Sequence, residues 1–357
     1  MAKAVIWRVD PITPAPEIIQ KAAGILRAGG LVAFPTETVY GLGANALNPR
    51  AVAGIFSAKR RPMDNPLIVH VADRQMVYRL ALTVNELACK LMDIFWPGPL
   101  TIILPRRENV PPEVSAGLAS IAIRMPAHQV ALDLIRAACL PVAAPSANLS
   151  GRPSPTTAAH VFADLGDYID AILEGGPAGI GVESTVLDLT SPVPVVLRPG
   201  GVTMDELTAV LGQVQLDPLA GGAAVNDYRN GQANRKPRSP GLKYRHYAPQ
   251  APVILVEGES RLVVAKVQEL VAAKCAAGLQ VGIFAYEESA PYYRRGQVLV
   301  AGSRSAPEQI AARLYSVLRR FDECGVDLIV VEGIEPVGLG LAIMNRLRRA
   351  AGEIILN

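Results

Sequence analysis

Along residues 17 to 211, short apolar runs alternate with stretches of helical periodicity, the rhythm of an α/β or α+β unit. The first predicted helix spans Ala15 to Ala28 and is stopped by Gly29-Gly30. A buried strand, Leu31 to Phe34, follows and runs into PTETVYGLGANA. Asn48-Pro49 opens a second helix that carries on toward Lys59-Arg60-Arg61-Pro62, where the proline is expected to end it. Further strands are predicted at Leu67 to Val71, Leu100 to Leu104, Ser120 to Arg124, Val142 to Ala144, Ser184 to Leu189 and Val193 to Leu197. Periodicity disappears between 212 and 250, where Gly, Asn, Arg and Pro collect as they do in a linker. Strands at Val253 to Val256, Val281 to Ala285, Val298 to Ala301 and Leu328 to Val331 then alternate with helices near 260 to 276, 306 to 320 and 341 to 351. That is the rhythm of a small doubly wound domain. Three segments are therefore expected: 1–211, a linker at 212–250, and 251–357.

Length agrees, since 357 residues exceed twice a domain of about 150. Half the residues are hydrophobic and 19% charged, which suits packed domains and excludes a mainly disordered chain. No apolar run approaches the roughly 20 residues of a membrane helix, and the N-terminus reaches Asp10-Pro11 too early for a secretory signal, so a cytoplasmic protein is expected. Cys89, Cys139, Cys275 and Cys324 lie far apart and without a CxxC pair, which indicates neither a zinc site nor a disulfide framework. The net charge of +3 hides an asymmetry. Residues 227 to 247 carry Arg229, Arg235, Lys236, Arg238, Lys243 and Arg245 against Asp227, a surplus of +5 that leaves −2 elsewhere. A site for anions should therefore be local. Proline makes up about 8% of the chain against a usual 5% or so, and 21 of the 29 prolines precede residue 200, many at predicted strand ends.

Several segments place chemistry at those strand ends. The P-loop pattern GxxxxGK[ST] does not occur, which disfavours that class of nucleotidase. Gly41-Leu-Gly43-Ala-Asn-Ala46 matches a relaxed dinucleotide fingerprint, but six residues separate it from its strand where a Rossmann unit allows none, so an ordinary strand-to-helix turn is the plainer reading. Lys59, Arg60 and Arg61 stand at a helix C-terminus, where cations are favourable in any case. Arg124 closes an apolar strand, at the edge where ligands of open α/β sheets gather, and a surface ion pair would explain it equally. Pro145-Ser146-Ala-Asn148-Leu-Ser-Gly151 offers hydroxyl, amide and backbone N–H groups beside a strand end, suited to phosphate or carboxylate and also to a purely local turn. Glu183-Ser184-Thr185 and Arg198-Pro-Gly repeat that geometry.

Taken in order, PTETVYGLGANA, KRRPMDNPLIVH, WPGPLT, AIRMP, APSANLSG, GVESTV and LRPGG cover most of residues 20 to 201 and resemble the YrdC-like family. Lys59 and Arg61 supply its KxR pair, Ser146 and Asn148 its SxN. The segment SPGLKYRHYAP, Ser239 to Pro249, is similar to the linker of the long, two-domain L-threonylcarbamoyladenylate synthases of that family, departing at Leu242 where the family favours Met. The resemblance implies an open twisted-sheet α/β catalytic domain around a large positive cleft and a Rossmann-like C-terminal domain. It also implies a reaction in which L-threonine, bicarbonate and ATP give threonylcarbamoyl-AMP and pyrophosphate, the first step of the N6-threonylcarbamoyl modification of adenosine 37 in tRNA. Threonine would lie near Thr38, His70, Arg124, Ala144 and Ser184. ATP would contact Lys59, Arg61, Asn65, Ser120, Ser146, Asn148, Ser154 and Arg198, with Tyr244 closing over it from a lid-like linker. Lys59 and Arg61 are the expected charge-neutralising catalytic residues. Mg²⁺ would ride on the phosphates, so no dedicated metal cluster is expected. The expected partner is the transferase machinery that consumes the product, with direct contact to tRNA open. A non-catalytic double-stranded RNA or tRNA binder is the competing expectation, and a nicotinamide oxidoreductase built on GLGANA a more distant one.

Overall fold

The computed structural model describes residues 3–220, 237–239 and 246–357. The first segment holds the strands β1 (Val5–Arg8), β2 (Val32–Phe34), β3 (Gly41–Asn45), β4 (Ile68–His70), β5 (Leu100–Pro105), β6 (Ser120–Arg124), β7 (Val142–Ala143), β8 (Ala171–Glu174), β9 (Thr185–Asp188), β10 (Val195–Arg198) and β11 (Gln215–Leu216). The predicted apolar runs become β2, β4, β5, β6, β7, β9 and β10, whereas β1, β3, β8 and β11 are additional. Among the described residues they form one sheet in the order β1-β8-β2-β3-β7-β4-β6-β5-β9-β10-β11. Its direction is mixed: β4 runs parallel to β6, whereas β3 with β7, β7 with β4, and β5 with β6 are antiparallel. A second sheet holds β12 (Val253–Glu257), β13 (Val281–Ala285), β14 (Gln297–Val300), β15 (Leu328–Glu332) and β16 (Glu353–Leu356), ordered β14-β13-β15-β12-β16 and parallel throughout. Helices Ser260–Ala276, Pro307–Cys324 and Leu339–Ala350 alternate with its strands, as the periodicity predicts.

Two local expectations need correction. GLGANA is neither a dinucleotide loop nor a turn but the strand β3, paired with β2 and β7. Its glycine serves packing, because a Cβ on Gly43 would stand 2.8 Å from the Phe34 ring and 2.9 Å from Val142. The helix Pro49–Lys59 begins as expected, with Asn48 as its cap, its side chain accepting from the amides of Arg50 and Ala51. It ends before Pro62, because Arg60 takes a left-handed conformation, φ +50°, and turns the chain.

The two sheets share apolar packing. Val39 and Val182 of the first segment join Tyr247, Leu314, Phe321 and Ile343 in one buried cluster. Gly181 marks a close approach, since a Cβ there would fall 2.3 Å from the Ala311 carbonyl oxygen on helix Pro307–Cys324.

Candidate active site

The mixed directions of the first sheet bring several strand ends to one place. Register sets His70 opposite both Arg124 and Val142, so β4, β6 and β7 deliver neighbouring groups at a common edge. The loop after β7 is laced to β3: Leu42 N donates to Pro145 O at 2.8 Å and Ala147 N to Tyr40 O at 2.8 Å. The result is a cleft open to solvent, walled by the residues around these strand ends.

All five residues expected at threonine, Thr38, His70, Arg124, Ala144 and Ser184, line this cleft, and so do Arg61, Ser146, Asn148 and Arg198. Arg124 is held on three sides. Nε donates to Gly98 O at 3.1 Å, Nη1 to Thr38 Oγ1 at 2.9 Å, and Nη2 pairs with Glu37 Oε1 at 2.6 Å. Burial and, secondarily, the Arg124 charge lower the His70 pKa to about 3, so its ring is neutral in the folded protein at neutral pH. Arg198 grips the next wall, donating from Nε and Nη2 to Ser184 O and from Nη2 to Ser184 Oγ at 3.1 Å. Arg61 donates from Nη2 to the carbonyls of Asn65 and Pro66.

Other expected residues are placed differently. Lys59 lies behind the lining, buried, its Nζ donating to the carbonyls of Ser146 and Asn148 at 2.5 Å each; burial pushes its pKa well below the usual lysine value. Asn65 is buried beside Arg61, with no hydrogen-bond partner for its side-chain amide among the described residues. Ser154 is buried and donates to Glu183 Oε1 at 2.5 Å. Ser120 begins β6 and is thus about 13 Å along the strand from Arg124. Tyr244 lies outside the described residues.

The cleft also contains residues to which sequence reading assigned no role: Arg152, Glu183, His246 and Tyr247. His246 and Tyr247 belong to the SPGLKYRHYAP segment, whose resemblance to a linker was their only signal. Glu183 is buried and accepts from Ser154, from Tyr315 OH at 2.9 Å and from Arg346 Nε at 2.8 Å, the last two from the second sheet's helices. Burial opposes its charge, but Arg346, Arg198 and the Ser154 hydroxyl outweigh burial and hold its pKa at about 2. Tyr247, at φ +65°, stacks on Tyr315 at 5.4 Å and lies 5.7 Å beneath the Arg346 guanidinium. Ala248 N donates to Gly151 O at 2.9 Å, fastening the end of the linker to the cleft loop.

Guanidinium, hydroxyl, amide and backbone groups converge here on space open to a small molecule. They are donors for phosphate and carboxylate oxygens, and among the described residues no group of three or more His, Cys, Asp or Glu could hold a metal ion. Fold and site together define an α/β protein with a cleft built for an anionic small molecule. A family model described as "Telomere recombination" matches residues 24–200, and one described as "Threonylcarbamoyl-AMP synthase, C-terminal domain" matches 202–352. The threonylcarbamoyl-AMP synthase of Bacillus subtilis is 50% identical over 98% of both chains, and that of Pyrococcus abyssi 48% identical over 95% of both. The crystal structure of P. abyssi Sua5 complexed with L-threonine superposes with a TM-score of 0.91 at 47% identity, covering 99% of this chain and 100% of that one. The chain belongs to the threonylcarbamoyl-AMP synthase family.

Proposed function

We propose that this chain joins L-threonine, bicarbonate and ATP into L-threonylcarbamoyl-AMP with release of pyrophosphate, the opening step of tRNA N6-threonylcarbamoyladenosine formation. The observation that carries this reading is the convergence of the five threonine-side residues with Arg61, Ser146, Asn148 and Arg198 on one cleft. A carbamate of threonine attacking the α-phosphorus needs placement and charge neutralisation more than an enzyme nucleophile. Arg124, locked by Glu37, Gly98 and Thr38, receives the threonine carboxylate, with His70 and Ser184 beside it and Ala144 offering backbone. Arg61, Arg198, Ser146 and Asn148 face the triphosphate. Lys59 serves the site through two carbonyls of the Ser146–Asn148 loop, setting the shape that the phosphates meet. Asn65, Ser120, Ser154 and Tyr244 are assigned to the nucleotide by resemblance alone. Magnesium arrives as part of the substrate, carried on the triphosphate.

In this reading residues 1–211 form the catalytic domain, 212–250 a basic lid, and 251–357 a Rossmann-like partner domain. The lid excludes water from a mixed anhydride that water would destroy. No helix is long and apolar enough to cross a membrane among the described residues, in keeping with a cytoplasmic site of action. The product passes to the transferase machinery that modifies tRNA.

The test supplies ATP and bicarbonate with each amino acid in turn and measures pyrophosphate. Release that requires threonine and bicarbonate jointly is expected. Retention of RNA without any turnover would replace this reading with the non-catalytic binder.

A further inference from the structure

Arg152 lines the cleft on the same loop as Ser146 and Asn148, and its backbone carbonyl accepts from Asn148 Nδ2 at 2.9 Å. Its side chain is 40% exposed, and Nη1 donates to Asp164 Oδ1 at 2.8 Å. Taken alone that pair is neutral and would draw the guanidinium away from an arriving anion. Asp164, however, is fully buried and shared. Arg319 reaches it from helix Pro307–Cys324, with Nη2 2.7 Å from Oδ2 and Nη1 3.3 Å from Oδ1, and donates also to Pro153 O at 2.5 Å. The trio therefore carries a net positive charge, which the half-buried Asp322, within electrostatic reach of both arginines, offsets in part. Its two inner members are buried and committed to each other, so the surplus is expressed at the one exposed end, Arg152. Among the described residues the Asp164 contact is the only hydrogen bond of the Arg152 guanidinium, which leaves most of its five N–H donors for a ligand.

We propose that Arg152 is a phosphate-binding residue of the cleft, and that Arg319, which does not line the cleft, is the positioning residue that satisfies Asp164 and leaves Arg152 free. This rests on the reading above that the Ser146–Asn148 side of the cleft receives a nucleotide triphosphate. Through this contact the second sheet's domain adds charge to the site of the first. The pair Arg319–Asp164 acts at a distance; Arg152 touches the ligand.

The test is calorimetric titration of the full chain with MgATP, with inorganic pyrophosphate and with L-threonine. Arg152→Gln is expected to bind both phosphate ligands about tenfold more weakly, a loss of ~1.4 kcal/mol, and threonine unchanged. The deficit should shrink as salt is raised. Arg319→Met should weaken both phosphate ligands several-fold, because Asp164 then claims Arg152 alone. The double variant Arg319→Met/Asp164→Asn, which removes the competing acid as well, should recover most of that loss. A purely structural role for Arg319 predicts no such recovery. If wild type binds ATP and Arg152→Gln binds it equally well, the proposal is overturned and the proposed function stands. If wild type binds neither ATP nor pyrophosphate, both fall. A folded double variant that binds no better than Arg319→Met overturns the positioning role. Should Arg319→Met fail to fold, Arg152→Gln, altered only at an exposed side chain, still decides whether the contact exists.

Discussion

The two sheets treat the carboxyl ends of their strands in opposite ways. In the all-parallel sheet, the edge where ligands usually bind is filled by the protein itself. Glu332, fully buried at the end of β15, accepts from Ser289 Oγ at 2.7 Å and pairs with Arg304. Arg304 lies 4.4 Å over the Tyr286 ring, and Tyr286 OH donates to Glu332 O at 2.9 Å. In the mixed sheet the corresponding polar groups are braced from behind and turned toward open space, as Arg124 and Arg198 are. A doubly wound topology is thus no guarantee of a site. What distinguishes the first sheet is that antiparallel neighbours let β2, β3, β4, β6 and β7 meet around one cleft, whose lining includes Arg124, Arg198 and His70.

The sharpest way to break this comparison is a matched pair of arginine truncations. Arg61→Ala, on the open side, should lower kcat/KM for threonine-dependent pyrophosphate release by at least about 100-fold in a protein that still folds. Retained activity would remove the triphosphate from that wall. Arg304→Ala, on the filled side, should leave kcat/KM within about twofold of wild type and cost about 3 kcal/mol of stability in denaturant titration, because it strands a buried carboxylate. A large activity loss there would mean that the second edge is a site after all.

A further expected effect is on pH dependence. All four histidines are held below their ordinary value, chiefly by burial: His70 and His246 to about 3, His160 to about 4, and His128 less far. An unfolded chain takes up these protons near pH 6.5, whereas the folded one refuses them until far lower. Stability from this source is therefore complete above about pH 6.5 and declines as pH falls below it. Thermal melts between pH 8 and about 5 should show that decline, above the range where the lowered carboxyl of Glu183 contributes. His70→Gln should make it shallower, and a flat profile for wild type would refute the assignment. Activity should show no imidazole inflection between pH 5 and 8 from His70.

Most elements follow directly from apolar runs and turn residues, and β6 and β13 coincide residue for residue with the expected ranges. The strands that escaped detection have physical reasons. β3 is glycine-rich because neighbouring side chains occupy its Cβ space, and β1 and β16 are short, largely exposed edge strands with only three apolar residues each. In the site, single strands deliver Arg124, Ser184 and Arg198, so their positions can be read locally. Lys59 could not be placed this way: in a basic run it resembles a solvated helix end, and only the loop at 146–148, far along the chain, buries it. Arg319, Tyr315 and Arg346 are less accessible still, since their role depends on how one folded unit docks against another.

The apolar cluster that mixes Val39 and Val182 with Leu314, Phe321 and Ile343 bears on how the molecule comes apart. Two sheets joined by a linker would ordinarily be expected to melt separately. Here residues of both halves share one buried apolar cluster, and parting them would strand Glu183 and Asp164 without Arg346 and Arg319. Heating is therefore expected to unfold the two sheets together, in one cooperative transition.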